Sequence, residues 1–476
     1  MIAGGRIVHF LLSVADVAAS TRLTLIAAIL GSSIVFIDGT VVNVALVPIQ
    51  HDLGGGLAAQ QWIVDAYLLT LGSLILVGGS LGDIFGEVRV FRFGVAWFGL
   101  ASVLCALAPN VDTLIVFRGF QGIAGALLTP ASLAVITSTF SGAARGAAIG
   151  MWTSWSGIST VVGPLLGGWL IGVSTWRVIF FLNVPIAIAT LMISARMAQK
   201  ESRREGARVD YLGGGLCVIG LGAIVFAFIE QPRHGWGAMI LGTLFGGAAA
   251  LAAFVVWETH ERQPMLPLRL FRLRNFSVTN IETFAVYGGL STFSFFLVVF
   301  LQQTVGYSPF RAGLATLPVT AMMFVLSPRA GRLSMRIGPR LLMTIGPVIA
   351  GAAVAVLARL PAHLNYWRDL LPPLLGFSIG LALTVAPLTT TVLSDAGAGD
   401  AGVASGVNNA VARVAGLIAI AVVGIAAASG GTHLTKHGFH LAMLVTGLLL
   451  IAGGTIGGVG LRNPAREAGP GPVTTS

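Results

Sequence analysis

A charged side chain inside a long apolar run has to justify its place. Removing it from water is costly, and such residues mark proton relays, ion pairs or substrate contacts. Four stand out here: Asp38 in IDGTVVNVAL, Arg118 in FRGFQGIAG, Glu282 in NIETFAVYGGL and Arg413 in GVNNAVARVAG. At 1.5 Å per residue, Asp38 lies ~15 Å from the end of its run at Pro48, and Arg118 lies ~6–12 Å into the run that follows Pro109. The longer guanidinium can reach the acid if both helices face a common cleft. Burial favours the neutral carboxyl and a neighbouring arginine favours the anion, a balance suited to a group that takes up and releases protons. An ion pair that merely holds two helices in register is the alternative, and a purely structural Glu282–Arg413 pair is open in the same way. Asp65, Glu230 and Asp369 fall near the ends of apolar runs and read as interfacial acids.

Other chemistries find little support. No GxxxxGK[ST] run is present, so ATP is not expected as the energy source. His433, His437 and His440 have no cysteine or carboxylate neighbours and read as an interfacial helix face, not a metal site. Neither a metal nor any other cofactor is expected. Cys105 and Cys217 both fall in apolar runs and read as small core residues without a disulfide framework. An integral-membrane enzyme would need a paired acid and base, or a metal set, in one cleft; none is found.

The elements that carry these residues are membrane spans. The chain has 476 residues, 55% of them hydrophobic and only 10% charged, and apolar segments long enough to cross a bilayer core of about 30 Å recur throughout. Fourteen spans are expected, near residues 23–47, 62–81, 90–108, 114–136, 146–170, 176–195, 211–229, 238–257, 277–302, 313–329, 341–357, 370–392, 402–428 and 439–461. With the N-terminus inside, inner segments hold 20 of the 28 basic residues, outer segments hold six, and Arg118 and Arg413 lie within spans. Both termini are therefore expected in the cytoplasm, and the net charge of +10 reflects inner loops, not nucleic-acid binding.

The chain also repeats itself. GSLGDIFG from Gly79 matches GRLSMRIG from Gly331, and Pro130 in LLTPASLAVI matches Pro387 in TVAPLTTTVL. The expected architecture is an all-α membrane protein of two parallel six-helix bundles plus a two-helix insert. The first bundle covers residues 23–195, the linker 196–210, the inserted hairpin 211–257, a second linker 258–276 and the second bundle 277–461. A lead-in of residues 1–22 and a tail of 462–476 flank them. The insert carries no charge inside its spans and is expected to lie outside both bundles.

Two further stretches suggest moving parts. GISTVVGPLLGGWL offers Gly157, Gly163, Pro164, Gly167 and Gly168, a small-residue face for a close helix crossing and a candidate rocking seam. In LGDIFGEVRV, Asp83 ends a helix between Gly79 and Gly86, where an acid can pair with an arginine or a helix N-terminus to hold two halves shut.

Together these residues resemble the major facilitator superfamily, specifically its fourteen-span drug:proton antiporters, over about residues 22–461. IDGTVVNVAL resembles the first-helix signature, with Asp38 and Asn43 at its acid and amide positions. Gly79, Leu81, Asp83 and Gly86 resemble the loop-two signature, although Ile84 and Glu87 stand where basic residues are usual. Arg118, Gln121 and Gly122 resemble the fourth-helix signature, whose arginine is implied in proton coupling. Gly157, Gly163, Pro164, Gly167 and Gly168 resemble the antiporter signature, and WRVIFFLNVP from Trp176 the start of the sixth helix.

The resemblance implies a monomeric, proton-driven exporter of amphipathic or cationic small molecules in the inner (plasma) membrane. Asp38, Arg118, Glu282 and Arg413 would couple protons, and Asn43, Gln121, Asn408 and Asn409 would line the substrate cleft. In this reading Asp38 holds a cationic cargo directly and lets it go on protonation. A lipid, a siderophore or a self-made antibiotic fits as cargo as well as a drug does. A passive uniporter or scramblase is a further alternative.

Overall fold

A computed structural model describes residues 2–197, 208–361, 363–427 and 434–463, with side chains from residue 21 onward except those of 143, 161 and 395–401. Most of the first linker (198–207), the tail from residue 464 and His433 lie outside the described residues. All the regular structure described is helical.

Apolar length sets the helices. They are α1 (Ile2–Leu53), α2 (Leu57–Phe85), α3 (Glu87–Ala106), α4 (Val111–Thr139), α5 (Gly142–Val173), α6 (Val178–Ser194) and α7 (Tyr211–His234). Then come α8 (Ala238–His260), α9 (Arg274–Gln303), α10 (Pro309–Ile337), α11 (Pro339–Leu357), α12 (Tyr366–Ser394), α13 (Gly402–Ala427) and α14 (Lys436–Gly460). Thirteen are long and apolar enough to cross a membrane; α6 is shorter.

Three elements differ from expectation. The span expected over 176–195 is the short α6, whose helical pattern breaks at Leu182. Pro185 has no N–H to give the Phe181 carbonyl, which weakens that turn. The helix of the first span runs back through the lead-in to Ile2, although only Thr21–Leu53 qualifies as a crossing. Lastly, α12 and α13 lie in one unbroken helical run, Leu371–Ala427. A straight run of that length would extend ~85 Å. Yet Phe377 stacks on Phe293 of α9 at 4.0 Å between ring centroids, while Ala415 and Ala419 pack at Gly288 of the same helix. Distant parts of the run meet neighbouring turns of α9, so the chain doubles back between α12 and α13.

Helices α1–α6 pack among themselves, and α9–α14 do likewise. Glycines let backbones approach: a Cβ on Gly122 of α4 would strike Thr70 and the Tyr67 carbonyl of α2. The two groups meet along α2 and α13, where Gly72 receives Arg413 and Leu76 lies against Gly406. They meet again where α5 crosses α10. Helix α7 lies across the outside of the α2–α13 seam, with Gly214 on Val77, Gly222 on Leu69, and Val225 and Ile229 against Leu417 and Ala421. Helix α8 packs on α7 through Gly220 and Leu251 and leaves much of its surface exposed.

Turns after the odd-numbered helices gather on one face, the arginine-poor one. There Arg177 pairs with Asp52 at 2.5 Å and Gln303 reaches both Gln50 and Leu434. Gln50, Gln61, Gln302 and Gln303 bind the two groups together near it, and Gln60 joins them from within the first group. Gln303 and Gln60 both donate to Gln50 Oε1 at 2.7 Å, Gln302 to the Val44 carbonyl at 3.1 Å and Gln61 to the Ile420 carbonyl at 2.8 Å.

Candidate functional site

Asp38 sits at the centre of a buried polar cluster. Its Oδ2 accepts from Arg118 Nη1 at 2.5 Å, and its Oδ1 accepts from Gln121 Nε2 at 2.9 Å and Asn183 Nδ2 at 3.1 Å. Arg118 makes further bonds as well. Its Nη1 also donates to Gln121 Oε1 at 2.6 Å, its Nε to the Ile63 carbonyl at 3.0 Å, and its guanidinium lies 4.4 Å from the Tyr67 ring centroid. Gln121 and Asn183 both donate to Ser102 Oγ, at 2.9 and 3.3 Å. Buried charge is tolerable only when paired and hydrogen-bonded, and each partner here meets that condition.

The cluster draws on α1, α2, α3, α4 and α6, all from the first group, and Asp38 and Gln121 are 0% exposed and Arg118 1%. This corrects the expectation of a shared cleft. Asp38 and Arg118 do meet, but no cargo can touch the carboxylate in this conformation. Gln121 likewise belongs to the pair and not to a substrate wall. Asn183, Ser102 and Tyr67 were not foreseen. An amide within the apolar run WRVIFFLNVP was the one available signal for Asn183.

Glu282 and Arg413 do not pair. Glu282 is 0% exposed and turns toward α14, where Gly457 leaves room for Oε2; neither carboxyl oxygen has a hydrogen-bond partner. Arg413 packs its Cβ on Gly72 of α2. Asn408 donates to Thr283 Oγ1 at 2.7 Å and Asn280 Oδ1 at 3.2 Å, tying α13 to α9. Asn409 is exposed and donates to the Ser405 carbonyl of its own helix, and Asn43 is half-buried.

Asp65 corrects a second expectation. It is 0% exposed, and both its oxygens lack partners. The reason is its azimuth. It lies one turn from Gln61, on the stripe of α2 that continues through Leu68 and Gly72 and faces Ile420, Gly416 and Arg413 of α13. A carboxyl thus stands unpaired in the seam between the two groups. Glu230 is also more buried than an interfacial acid, at 9% exposed, and accepts from Trp62 Nε1 at 3.1 Å. Asp369 accepts from Asn365 N at 2.9 Å at the start of α12, and His440 contacts the Leu360 carbonyl at 3.0 Å. Among the described residues no three metal-type ligands gather.

The small-residue stretch divides its labour. Gly163 and Gly167 face Thr40 and Val41 of α1, whereas Pro164 and Gly168 face the second group at α10. A Cβ on Gly168 would stand 2.7 Å from Phe310 Cα, and one on Gly313 would stand 2.7 Å from the Pro164 carbonyl. A Cβ on Gly157 would meet nothing within 4 Å, so this glycine is no part of the crossing. Gly86, at φ 94°, ends α2 and begins α3, a Cβ on Gly79 would stand 3.9 Å from Pro130, and Asp83 is exposed beside them. Gly168→Leu is therefore expected to prevent closure at the arginine-poor face. Spin labels at Ser174 and Thr304 should then report a longer distance than in the otherwise unaltered protein. An unchanged distance would show that the crossing yields elsewhere.

The geometry agrees with what the chain resembles as a whole. The family model described as Major Facilitator Superfamily matches residues 28–420. A multidrug resistance protein, Stp, of Mycobacterium tuberculosis is 35% identical over 411 residues, covering 84% of this chain and 75% of that one. A tetracenomycin C resistance and export protein of Streptomyces glaucescens is 34% identical over 418 residues, covering 85% and 76%. A methylenomycin A resistance protein of Streptomyces coelicolor is 34% identical over 443 residues, covering 92% of each chain. Among solved structures, a bacterial homologue of the human lysosomal transporter Spinster aligns with TM-score 0.66 at 16% identity, covering 93% of this chain and 97% of that one. The xylose transporter XylE of E. coli aligns with TM-score 0.63 at 15% identity over the same shares. At these identities the last two speak for the fold.

Proposed function

Because the chain belongs to the Major Facilitator Superfamily, and is a multi-pass membrane protein that acts on small molecules, we propose that it is a proton-coupled exporter of amphipathic or cationic compounds. The energy source is the proton gradient across the inner (plasma) membrane. The chain crosses that membrane fourteen times as a monomer, α6 included, in two six-helix repeats, with both termini and the arginine-rich face in the cytoplasm. The excess of arginine on that face supports the orientation, and the resistance and export proteins to which the chain is similar support the cargo class.

The observation that carries the reading is the Asp38–Arg118 pair, fully buried inside the first group. Protonation of Asp38 from the outer side would remove its charge and free Arg118 from a bond that ties α1 to α4. Gln121 and Asn183 would then lose part of their hold on the carboxyl. Helix α1 also carries the surface on which Gly163 and Gly167 of α5 pack, so a shift of α1 passes to the α5–α10 crossing. In this mechanism proton and cargo act on the same equilibrium without sharing one carboxylate. Asp65 in the seam and Glu282 in the second group are the further proton sites, and Arg413 lies about two turns further along the α2–α13 contact, at Gly72.

A second reading has its own support: two of the similar Streptomyces proteins are named for resistance to single antibiotics, which favours a natural-product exporter of the same fold. One screen tests both. Expressed in a host stripped of its own efflux pumps, the protein should lower accumulation of some amphipathic compounds relative to empty vector. A broad range of protected compounds favours multidrug export, and a single protected chemotype favours the second reading. No protection by protein that is present in the membrane would contradict export of such compounds.

A further inference from the structure

The insert joins the two six-helix groups through two linkers, and both are pinned at one spot on the arginine-rich face. Asp210 caps α7: its Oδ1 accepts from Gly213 N at 2.8 Å and from Trp257 Nε1 of α8 at 2.9 Å. Next to that tryptophan, Glu258 accepts from Leu266 N through Oε2 at 2.9 Å and so folds the second linker back onto the helix end. Arg208 N donates to Gln263 Oε1 at 2.9 Å, which ties the first linker to the second. One oxygen on each acid is left over. Asp210 Oδ2 and Glu258 Oε1 are both buried without a donor, and Glu258 as a whole is 3% exposed.

Both of these oxygens lie against Gly213. A Cβ there would strike Asp210 Oδ2 and stand 3.0 Å from Glu258 Oε1, so the two partnerless oxygens converge on one small space. Carboxylates only accept hydrogen bonds, so neither oxygen can satisfy the other unless one of them carries a proton. Two anions placed so closely, one of them desolvated, cannot both stay charged without a counter-ion. No described basic side chain pairs with either acid; Arg208 and Arg262 enter with backbone N–H groups. Among the described residues, the other titratable groups nearby are Glu261 at the end of α8 and Cys217 on α7. From α2, the neighbours of this end of α7 are the apolar Leu74 and Val77.

We propose that Asp210 and Glu258 share one proton, and that this bond is a pH-responsive clasp holding both linkers to the insert. The proton is bound when the clasp is closed and lost when it opens. Closure is therefore complete at low pH and is lost as the pH rises through the titration, with the open population growing about tenfold per pH unit above it. The chain passes from one six-helix group to the other only through these linkers and the insert, so the clasp sets the slack available when the groups rock. Under the orientation proposed above it reads cytoplasmic pH; the shared proton itself does not depend on that reading.

Hydrogen exchange on the full-length protein in lipid nanodiscs tests this without any substrate, so its outcome is independent of whether export is demonstrated. Protection of residues 258–270, corrected for intrinsic rates, would be followed from about pH 5 to about pH 9. The unaltered protein should be protected at the acid end and lose protection by about tenfold per pH unit toward the alkaline end. Glu258→Gln, whose amide can donate to Asp210 with no proton, should stay protected throughout, and Asp210→Asn likewise. Glu258→Ala should be open throughout. Protection that does not vary with pH, or the same slope in Glu258→Gln, overturns the proposal. So would protection restored at high pH by added magnesium or calcium ions, which would assign the two oxygens to a bridging cation.

Discussion

Asp38→Asn should abolish proton-driven export while leaving the protein folded and inserted. Asparagine matches the acid in size and is neutral, like the protonated carboxyl that the proposed cycle has to visit, so the helices can accommodate it. What it cannot do is change charge. The hydrogen bonds now shared among Arg118, Gln121 and Asn183 would be fixed in one pattern, and α1 would lose its proton-dependent grip on α4. Efflux should fall to the empty-vector level at every pH, with unchanged abundance in the membrane. Wild-type rates with the wild-type pH dependence would make Asp38 structural and move the proton site to Asp65 or Glu282.

Arg118→Ala should be more damaging to the fold as well as to transport. Removing one partner of a buried ion pair costs about 3–5 kcal/mol in soluble proteins, because the other charge is stranded. Asp38 relieves only part of that penalty by taking up a proton, and while it holds the proton it is uncoupled from the gradient. The loss also takes the Arg118 donors from the Ile63 carbonyl and from Gln121 Oε1, which keeps only the weak bond from Cys105 Sγ at 3.7 Å. A lower unfolding temperature in detergent and no proton-dependent efflux are expected together. The double variant Asp38→Asn with Arg118→Ala should be more stable than the two single losses added together, since the stranded charge is gone. Arg118→Lys should keep the fold better than alanine yet transport poorly. An ammonium has no equivalent of the Nε that holds Ile63, and the site uses the fork and not the charge alone.

Depth could be read from the sequence; azimuth could not. Residue counting put Asp38 and Arg118 at compatible levels, and they meet. The same counting left a Glu282–Arg413 pair open, but Glu282 turns toward α14 and Arg413 toward α2. Asp65 looked interfacial because it is near a helix end in sequence, whereas it sits on the stripe of α2 that α13 covers. The small-residue stretch shows the geometry plainly. Positions 163 and 167 are four apart and share a helix face, whereas 168 is rotated about 100° from 167 at 3.6 residues per turn. It therefore meets a different neighbour. Composition and arginine asymmetry foretold helices and a topology, while the break at Leu182 and the unbroken α12–α13 run depended on local backbone bonding that apolar length does not encode.

The central claim is that proton flux through the first group drives cargo outward, and purified protein in sealed vesicles tests it most directly. With a compound from the efflux screen and an imposed pH gradient, the unaltered protein should accumulate cargo against its concentration. Collapse of both the pH gradient and the membrane potential should end that accumulation, and Asp38→Asn should show none. Uphill transport that survives the collapse of both would contradict the account.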